Sequence, residues 1–438
     1  MKKILIALAL LAGVQLANAQ VKSPSAAAKA VEKAEVAAQD AKKAAKVGTW
    51  VSLAKAYMDA YNAPAGNAWI GATAQELALL MGAEKPVSEE QVELAGTPYL
   101  KVVYSNKDFY YTQDLKLSMI IVTKPVVEDA LGKAYEAWKK AYEVDAKQSK
   151  VKDIAAGLAD IAQKYVNDAY NAYQFGDLMG ASKLFACAAE VSATAPCSAP
   201  NNDALYNAGF TAWMAKDYEV AKKYFEECLA KGYYYDDGEV FAKLADIYKT
   251  AGDAEATVKV LEEGFAKFPQ SQSILIGLIN HYLENKQDPA RLFELIDLAK
   301  QNEPGNASLY YVEGNIHKEL GNQEKAIETY YKCAEINPEY EFGYIGAGIL
   351  YYELAVKLSE EASNEYDDAK YNALVEQFEK ALLDAIEPFE KAINTTKDEG
   401  LKVSIAEYLK NIYYRFISKG AEYEEGYNKY NQIVKGAN

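Results

Sequence analysis

The feature that most restricts this chain is a spacing of small and bulky residues that recurs about every thirty-four positions. It is clearest between Ala307 and Tyr340. Counting Ala307 as position 1, Tyr310 stands at 4, Gly314 at 8, His317 at 11, Gly321 at 15, Ala326 at 20, Tyr330 at 24, Cys333 at 27 and Pro338 at 32. Small residues at 8, 20 and 27 let two antiparallel helices approach closely, and the aromatic residues fill the space beside them. Gly321 serves the turn between the helices and Pro338 stops the second one.

The register extends in both directions. From Gly238 it gives Phe241, Leu244, Ala245, Tyr248, Gly252, Leu261, Gly264 and Pro269; from Asn202, Leu205, Gly209, Ala221, Phe225 and Cys228. From Ala162 it gives Tyr165, Ala169, Gly176, Ala181, Phe185 and Ala188. Ser271 to Asn306 is a degenerate copy with extra residues in its loop, around Asn285 to Pro289. Two further copies are interrupted. Trp50, Leu53, Ala54 and Tyr57 open a unit whose second helix arrives only with Ala134, Trp138 and Ala141, after an insertion of about 68 residues. Tyr344, Ala347, Gly348 and Tyr351 open another that closes with Ala385, Phe389 and Ala392, about 25 residues later than standard.

Within the first insertion, Tyr99 to Ser105, Phe109 to Thr112 and Lys116 to Val122 read as three short strands rich in Tyr, Val and Ile. Asn106-Lys107-Asp108 and Gln113-Asp114 are the expected turns. A sheet this small needs a support, so it is expected to rest on the helices. The second insertion is charged with helical period, and predicts one repeat drawn out into a long hairpin.

These motifs resemble the tetratricopeptide repeat family over roughly residues 47 to 437. The resemblance implies an all-α right-handed α-solenoid, here with the small inserted antiparallel sheet near its N-terminus. The expected organisation is residues 1–19 an export signal, 20–46 an Ala/Lys/Glu helix, and 47–147 an interrupted first repeat with the sheet at about 92–124. Then come a repeat array over 148–340, a repeat with an extended hairpin over 341–400, and capping helices over 401–438. In this family, positions 2, 5, 9, 12 and 13 of each first helix line a concave groove that holds peptides. Carried onto this chain, they include Tyr170, Tyr173, Tyr206, Phe210, Trp213 and Met214, then Asp246, Lys249, Tyr311, Asn315, Lys318, Phe342 and Tyr352. Position 5 is Val166, Tyr206, Ala242, Tyr311 and Ile345, so the Lys/Asn carboxylate clamp of the family's chaperone-binding members is missing.

Lys2 and Lys3, the apolar run Ile4 to Leu16 and the small-x-small Ala17-Asn18-Ala19 have the order of a cleavable export signal. Gln20 follows, not a lipid-bearing cysteine, and no later run is long enough to span a bilayer. The expectation is a periplasmic or secreted chain. Its net charge of −16 argues against nucleic acid and anionic membrane surfaces as partners.

Of four cysteines, Cys228 and Cys333 occupy position 27, where a buried thiol replaces a small residue. Cys187 and Cys197 leave two readings open, a bridge or two free thiols. His281 and His317 both fall at position 11 of first helices, as packing residues rather than metal ligands. The glycines of Gly343-Tyr344-Ile345-Gly346-Ala347-Gly348 follow no strand and read as small residues of a packed helix, not a phosphate loop. No catalytic motif is recognisable, and no cofactor or metal is expected. The leading function is a non-catalytic scaffold for a protein or peptide partner. The alternative is a glycan- or peptidoglycan-binding protein using the aromatic stripe from Tyr170 to Met214, whose side chains could equally pack against the sheet or the next repeat. An enzyme with its site in the sheet is the third reading, without a motif behind it.

Overall fold

Four of the helix pairs turn on two adjacent residues. In a computed structural model that describes residues 21–81, 84–285 and 289–436, the first helix of a pair ends on a left-handed residue at position 15. These are Gly176 (φ 76°), Lys216 (φ 62°), Gly252 (φ 77°) and Gly321 (φ 75°). The next residue donates its N–H back to the helix it leaves: Asp177 to Ala172, Asp217 to Ala212, Asp253 to Tyr248 and Asn322 to His317, all at 2.8–3.0 Å. This satisfies the last carbonyls of the first helix. Three of the same residues then cap the second helix, Asp177 accepting from Gly180, Asp217 from Val220 and Asp253 from Ala256. At Gly176-Asp177 and Gly252-Asp253 a Gly-Asp step therefore stops one helix and starts the next.

The chain divides into two compact units, residues up to Tyr235 and from Asp236 onward. In the first, α1 (Pro24–Gln39), α2 (Ala41–Ala44) and α3 (Val47–Asn62) precede α4 (Ala74–Met81). Four strands follow, β1 (Ser88–Leu94), β2 (Thr97–Val103), β3 (Lys107–Tyr111) and β4 (Leu117–Val122). The unit closes with α5 (Ala130–Val144), α6 (Val151–Gln174), α7 (Leu178–Ala193), α8 (Asn202–Met214) and α9 (Tyr218–Ala230). The Ala/Lys/Glu segment is broken at Asp40, which accepts from the N–H groups of Lys42 and Lys43 and so caps α2. Across the insertion α3 packs on α5, and Ala54, Tyr57, Ala134, Trp138 and Ala141 share one core.

The second unit holds α10 (Glu239–Thr250), α11 (Ala254–Lys267), α12 (Gln272–Glu284), α13 (Pro289–Asn302), α14 (Ala307–Glu319) and α15 (Gln323–Ile336). The long α16 (Phe342–Ser363) and α17 (Asp368–Asp384) make the hairpin, followed by α18 (Ile386–Thr395), α19 (Glu399–Arg415) and α20 (Ala421–Gly436). The same steric contact recurs in both units. A Cβ on Gly209 would lie 2.9 Å from the Phe225 ring, and one on Gly314 2.5 Å from Tyr330, each aromatic sixteen residues on. Gly348 makes this contact with Phe389 at 2.7 Å, forty-one residues on, because the hairpin is spliced between them.

The sheet has four strands, not three, in the antiparallel order β1-β2-β3-β4. β1 escapes the sequence reading because Ser-Glu-Glu-Gln-Val-Glu-Leu is an edge strand, largely exposed and charged, without the apolar alternation that marks a half-buried one. β3 also begins earlier than expected. Lys107 and Asp108 are buried strand residues, not a turn, and the Lys107 ammonium is held by Glu84 at 2.8 Å. One face of the sheet, with Val102, Phe109, Tyr111 and Leu117, packs on Leu77 of α4. The other presents Tyr110 edge-on to Phe175 at the end of α6, ring centroids 5.3 Å apart. The sheet is thus clamped between a short helix and the solenoid.

Residues 1–20, the expected export signal among them, lie outside the described residues, as do 286–288 of the loop after α12. No helix among the described residues is long and apolar enough to cross a membrane.

Candidate partner-binding surface

The expected groove residues of the first unit divide by burial. Tyr206 is 4 % exposed. The Tyr235 ring stacks on it at 3.7 Å and 7°, and Phe210 lies beyond at 6.0 Å. Phe210 in turn stacks with Trp213 at 5.8 Å. Tyr206 is therefore covered on one face by the Tyr235 ring, and a ligand would reach that face only with Tyr235 moved aside. Tyr235 escaped the sequence reading because it stands outside the helical register, in the tyrosine-rich loop after α9; the run Tyr233-Tyr234-Tyr235 was the available signal. Tyr170 meets Phe185 edge-on at 5.2 Å and keeps part of its ring exposed; Tyr173 packs against the core, and Met214 is exposed.

In the second unit Tyr311, Asn315 and Lys318 recur at helical spacing along one face of α14. Tyr311 leans on Tyr330 at 5.9 Å and on Phe342 at 5.7 Å. Asn315 accepts the Tyr330 hydroxyl at 2.7 Å, which fixes both side chains. Burial pushes the Tyr330 phenol above its usual range, so this donor stays protonated. Lys318 reaches Glu353 of α16, and Tyr352 meets Tyr408 edge-on at 4.9 Å. Tyr311, Asn315, Lys318 and Tyr352 are all half-buried, which leaves each a partly accessible edge.

A cavity of about 280 Å³ opens beside Tyr352, between the hairpin and α19. Val356, Phe378 and Arg415 help line it, none of them among the expected groove residues. Charged hairpin segments read as solvated faces; the signal available was the recurrence of large apolar residues within them.

His281 is buried and His317 lies over Phe293 at 4.7 Å. Burial lowers the pKa of both, so they are neutral packing groups near neutral pH. All four cysteines are free, including Cys187 and Cys197, which are half-buried against the same core. In this structure the bridge is therefore not formed. Burial pushes Cys333 up to about 11 and Cys228 up to about 12, so neither is a nucleophile at neutral pH.

Two windows match family models for the tetratricopeptide repeat, residues 307–340 and residues 203–231. They fall on α14–α15 and α8–α9. Among solved structures, the chain is similar to a tetratricopeptide repeat protein from Parabacteroides merdae, with 15 % identity over 56 % of this chain and 98 % of that one and a TM-score of 0.38. It is also similar to YrrB, described as a TPR protein with an unusual peptide-binding site. There the identity is 21 %, over 48 % of this chain and 96 % of that one, with a TM-score of 0.33. MamA matches at 18 % identity over 45 % and 96 %, TM-score 0.33. Nothing about a ligand follows from likenesses this distant. No curated protein matches the chain.

Proposed function

We propose that this chain, a mostly helical tetratricopeptide repeat protein with a small inserted sheet, is a non-catalytic scaffold that binds a protein or peptide partner. The observation that carries this reading is the face of α14, where Tyr311, Asn315 and Lys318 are held by Tyr330 and Glu353 yet stay partly accessible. Side chains fixed in advance lose little entropy when a partner docks, which suits recognition. Nothing in their arrangement supplies a base, a nucleophile and an oxyanion donor together.

The scaffold works after export, in the periplasm or beyond. This part of the proposal rests on the charged, apolar and small-x-small order of residues 2–19 alone. The glycan reading has one ring fewer in its aromatic stripe, since Tyr235 stacks on Tyr206.

The test is in-cell crosslinking of the tagged full chain, with mass spectrometry of what co-purifies from the envelope. One dominant protein partner, reduced by Tyr311→Ala and by Lys318→Glu, is expected. A partner indifferent to both substitutions would count against this surface, and recovery of no partner against the scaffold reading.

A further inference from the structure

The hairpin of α16 and α17 does more than lengthen a repeat. The cavity at its base has apolar walls from Tyr352, Val356, Phe378, Leu382 and Ile412. Val356 is 45 % exposed there, so its methyl groups are accessible from the cavity. The cavity runs on through Glu360 into an open cleft of about 590 Å³ along the hairpin, lined also by Lys357, Glu361, Asn364, Glu365 and Leu374. The cations nearby are already engaged. The Arg415 guanidinium lies over the Phe378 ring at 5.5 Å and 3.8 Å from Glu379, which also holds Lys419 at 2.6 Å. Lys357 faces Glu361 at 3.8 Å. Glu360, at the junction of cavity and cleft, has no ion-pair partner among the described residues. Glu365 accepts only backbone N–H groups, from Tyr366 and Asp367.

We infer that this groove binds a peptide segment with one large apolar side chain flanked by Lys or Arg, a reading that rests on the scaffold function proposed above. The apolar side chain enters the cavity beside Val356 and Phe378, and the flanking cations meet Glu360 and Glu365. Charge complementarity selects this occupant: the carboxylates of Glu360, Glu361 and Glu365 outnumber the one lysine of the cleft, Lys357, so an acidic segment would meet like charges and a neutral one would gain no attraction from them. The chain's own balance, 63 acidic against 47 basic residues, draws the same partner class toward the site.

The experiment uses the full chain and three fluorescein-labelled peptides of about twelve residues. The first has a central phenylalanine flanked by lysines, the second has glutamates for the lysines, and the third has alanine for the phenylalanine. Binding of the first alone is expected, weakening as salt rises from about 50 to about 500 mM. Val356→Asp and Glu360→Lys should each weaken it by about fivefold or more, while Glu324→Lys, an exposed charge on α15, should not. Each of these results would overturn the inference: no binding of the first peptide, equal binding of the first peptide and either of the other two, Glu324→Lys weakening it as much as Glu360→Lys, or peptide-free self-association abolished by Val356→Asp, which would make a second copy the occupant. An envelope partner that survives both groove substitutions would sink this site and leave the scaffold reading standing. The absence of any partner sinks the scaffold reading itself.

Discussion

Lys318 on α14 meets Glu353 on α16 at 2.7 Å, thirty-five residues apart, one repeat plus one residue. Lys249 and Glu284 make the same pair at 2.6 Å and the same separation, from α10 to α12. A charge near the end of one first helix thus reaches the matching turn of the next. Both pairs are partly exposed, so each contributes little to stability. A double-mutant cycle on Lys318→Ala and Glu353→Ala is expected to give a coupling of about 0.2–1 kcal/mol, fading in high salt. A coupling several times larger would mean that the pair is a structural clamp.

Gly314 stands where a Cβ would lie 2.5 Å from the Tyr330 ring, which is itself buried in the core. Gly314→Ala should destabilise the second unit by about 1–3 kcal/mol, because the ring has nowhere to withdraw. Gly48, in the first turn of α3, has nothing within 4 Å, so Gly48→Ala should be neutral or slightly stabilising. Thermal unfolding of the two variants side by side checks the contrast; equal losses would refute it.

Lys216 occupies the turn position that is glycine in three sister repeats, at φ 62°. A side chain pays for this left-handed conformation in steric strain, offset in part by the greater freedom of glycine in the unfolded chain. Lys216→Gly should stabilise the first unit by about 0.5–1 kcal/mol, read as a raised urea midpoint. A lowered midpoint would show that the lysine makes a compensating contact.

Asp168 accepts the Tyr61 hydroxyl at 2.8 and 2.9 Å between α6 and α3, and burial raises its pKa to about 6. A carboxyl raised in the fold favours folding while protonated, so its contribution is present below the unfolded value near 4 and is lost as pH climbs to about 6. Asp168→Asn, which stays neutral and keeps an acceptor for Tyr61, should match the parent at pH 4. Above pH 6 it should exceed the parent by about 1–2 kcal/mol. Urea unfolding across this range decides it, and parallel curves for the two proteins would rule out the titration.

Alkylation counts the thiols. Cys228 and Cys333 are fully buried with raised pKa values, so iodoacetamide should reach them only on unfolding; half-buried Cys197 should react in the folded chain, and Cys187, half-buried with its thiol also pushed up by burial, more slowly. Four adducts after denaturation without reductant confirm free thiols. Two would report a Cys187–Cys197 bridge.

The sequence by itself determined the helix pairs, since the contact between positions 8 and 24 is a short-range matter of side-chain volume. Gly314 beneath Tyr330 and Gly209 beneath Phe225 are written into the spacing. Gly348 beneath Phe389 keeps the same pair of residue types across the splice. The sequence reading missed β1, whose pairing with β2 is set by a partner strand rather than by its own apolar pattern. Only the tertiary structure decided which groove residues stay accessible. Tyr206 and Tyr311 both stand at position 5, yet a loop tyrosine stacks on one and leaves it buried, while the other keeps an accessible edge. Burial depends on what arrives from elsewhere in the chain, and a register of thirty-four residues holds no record of that.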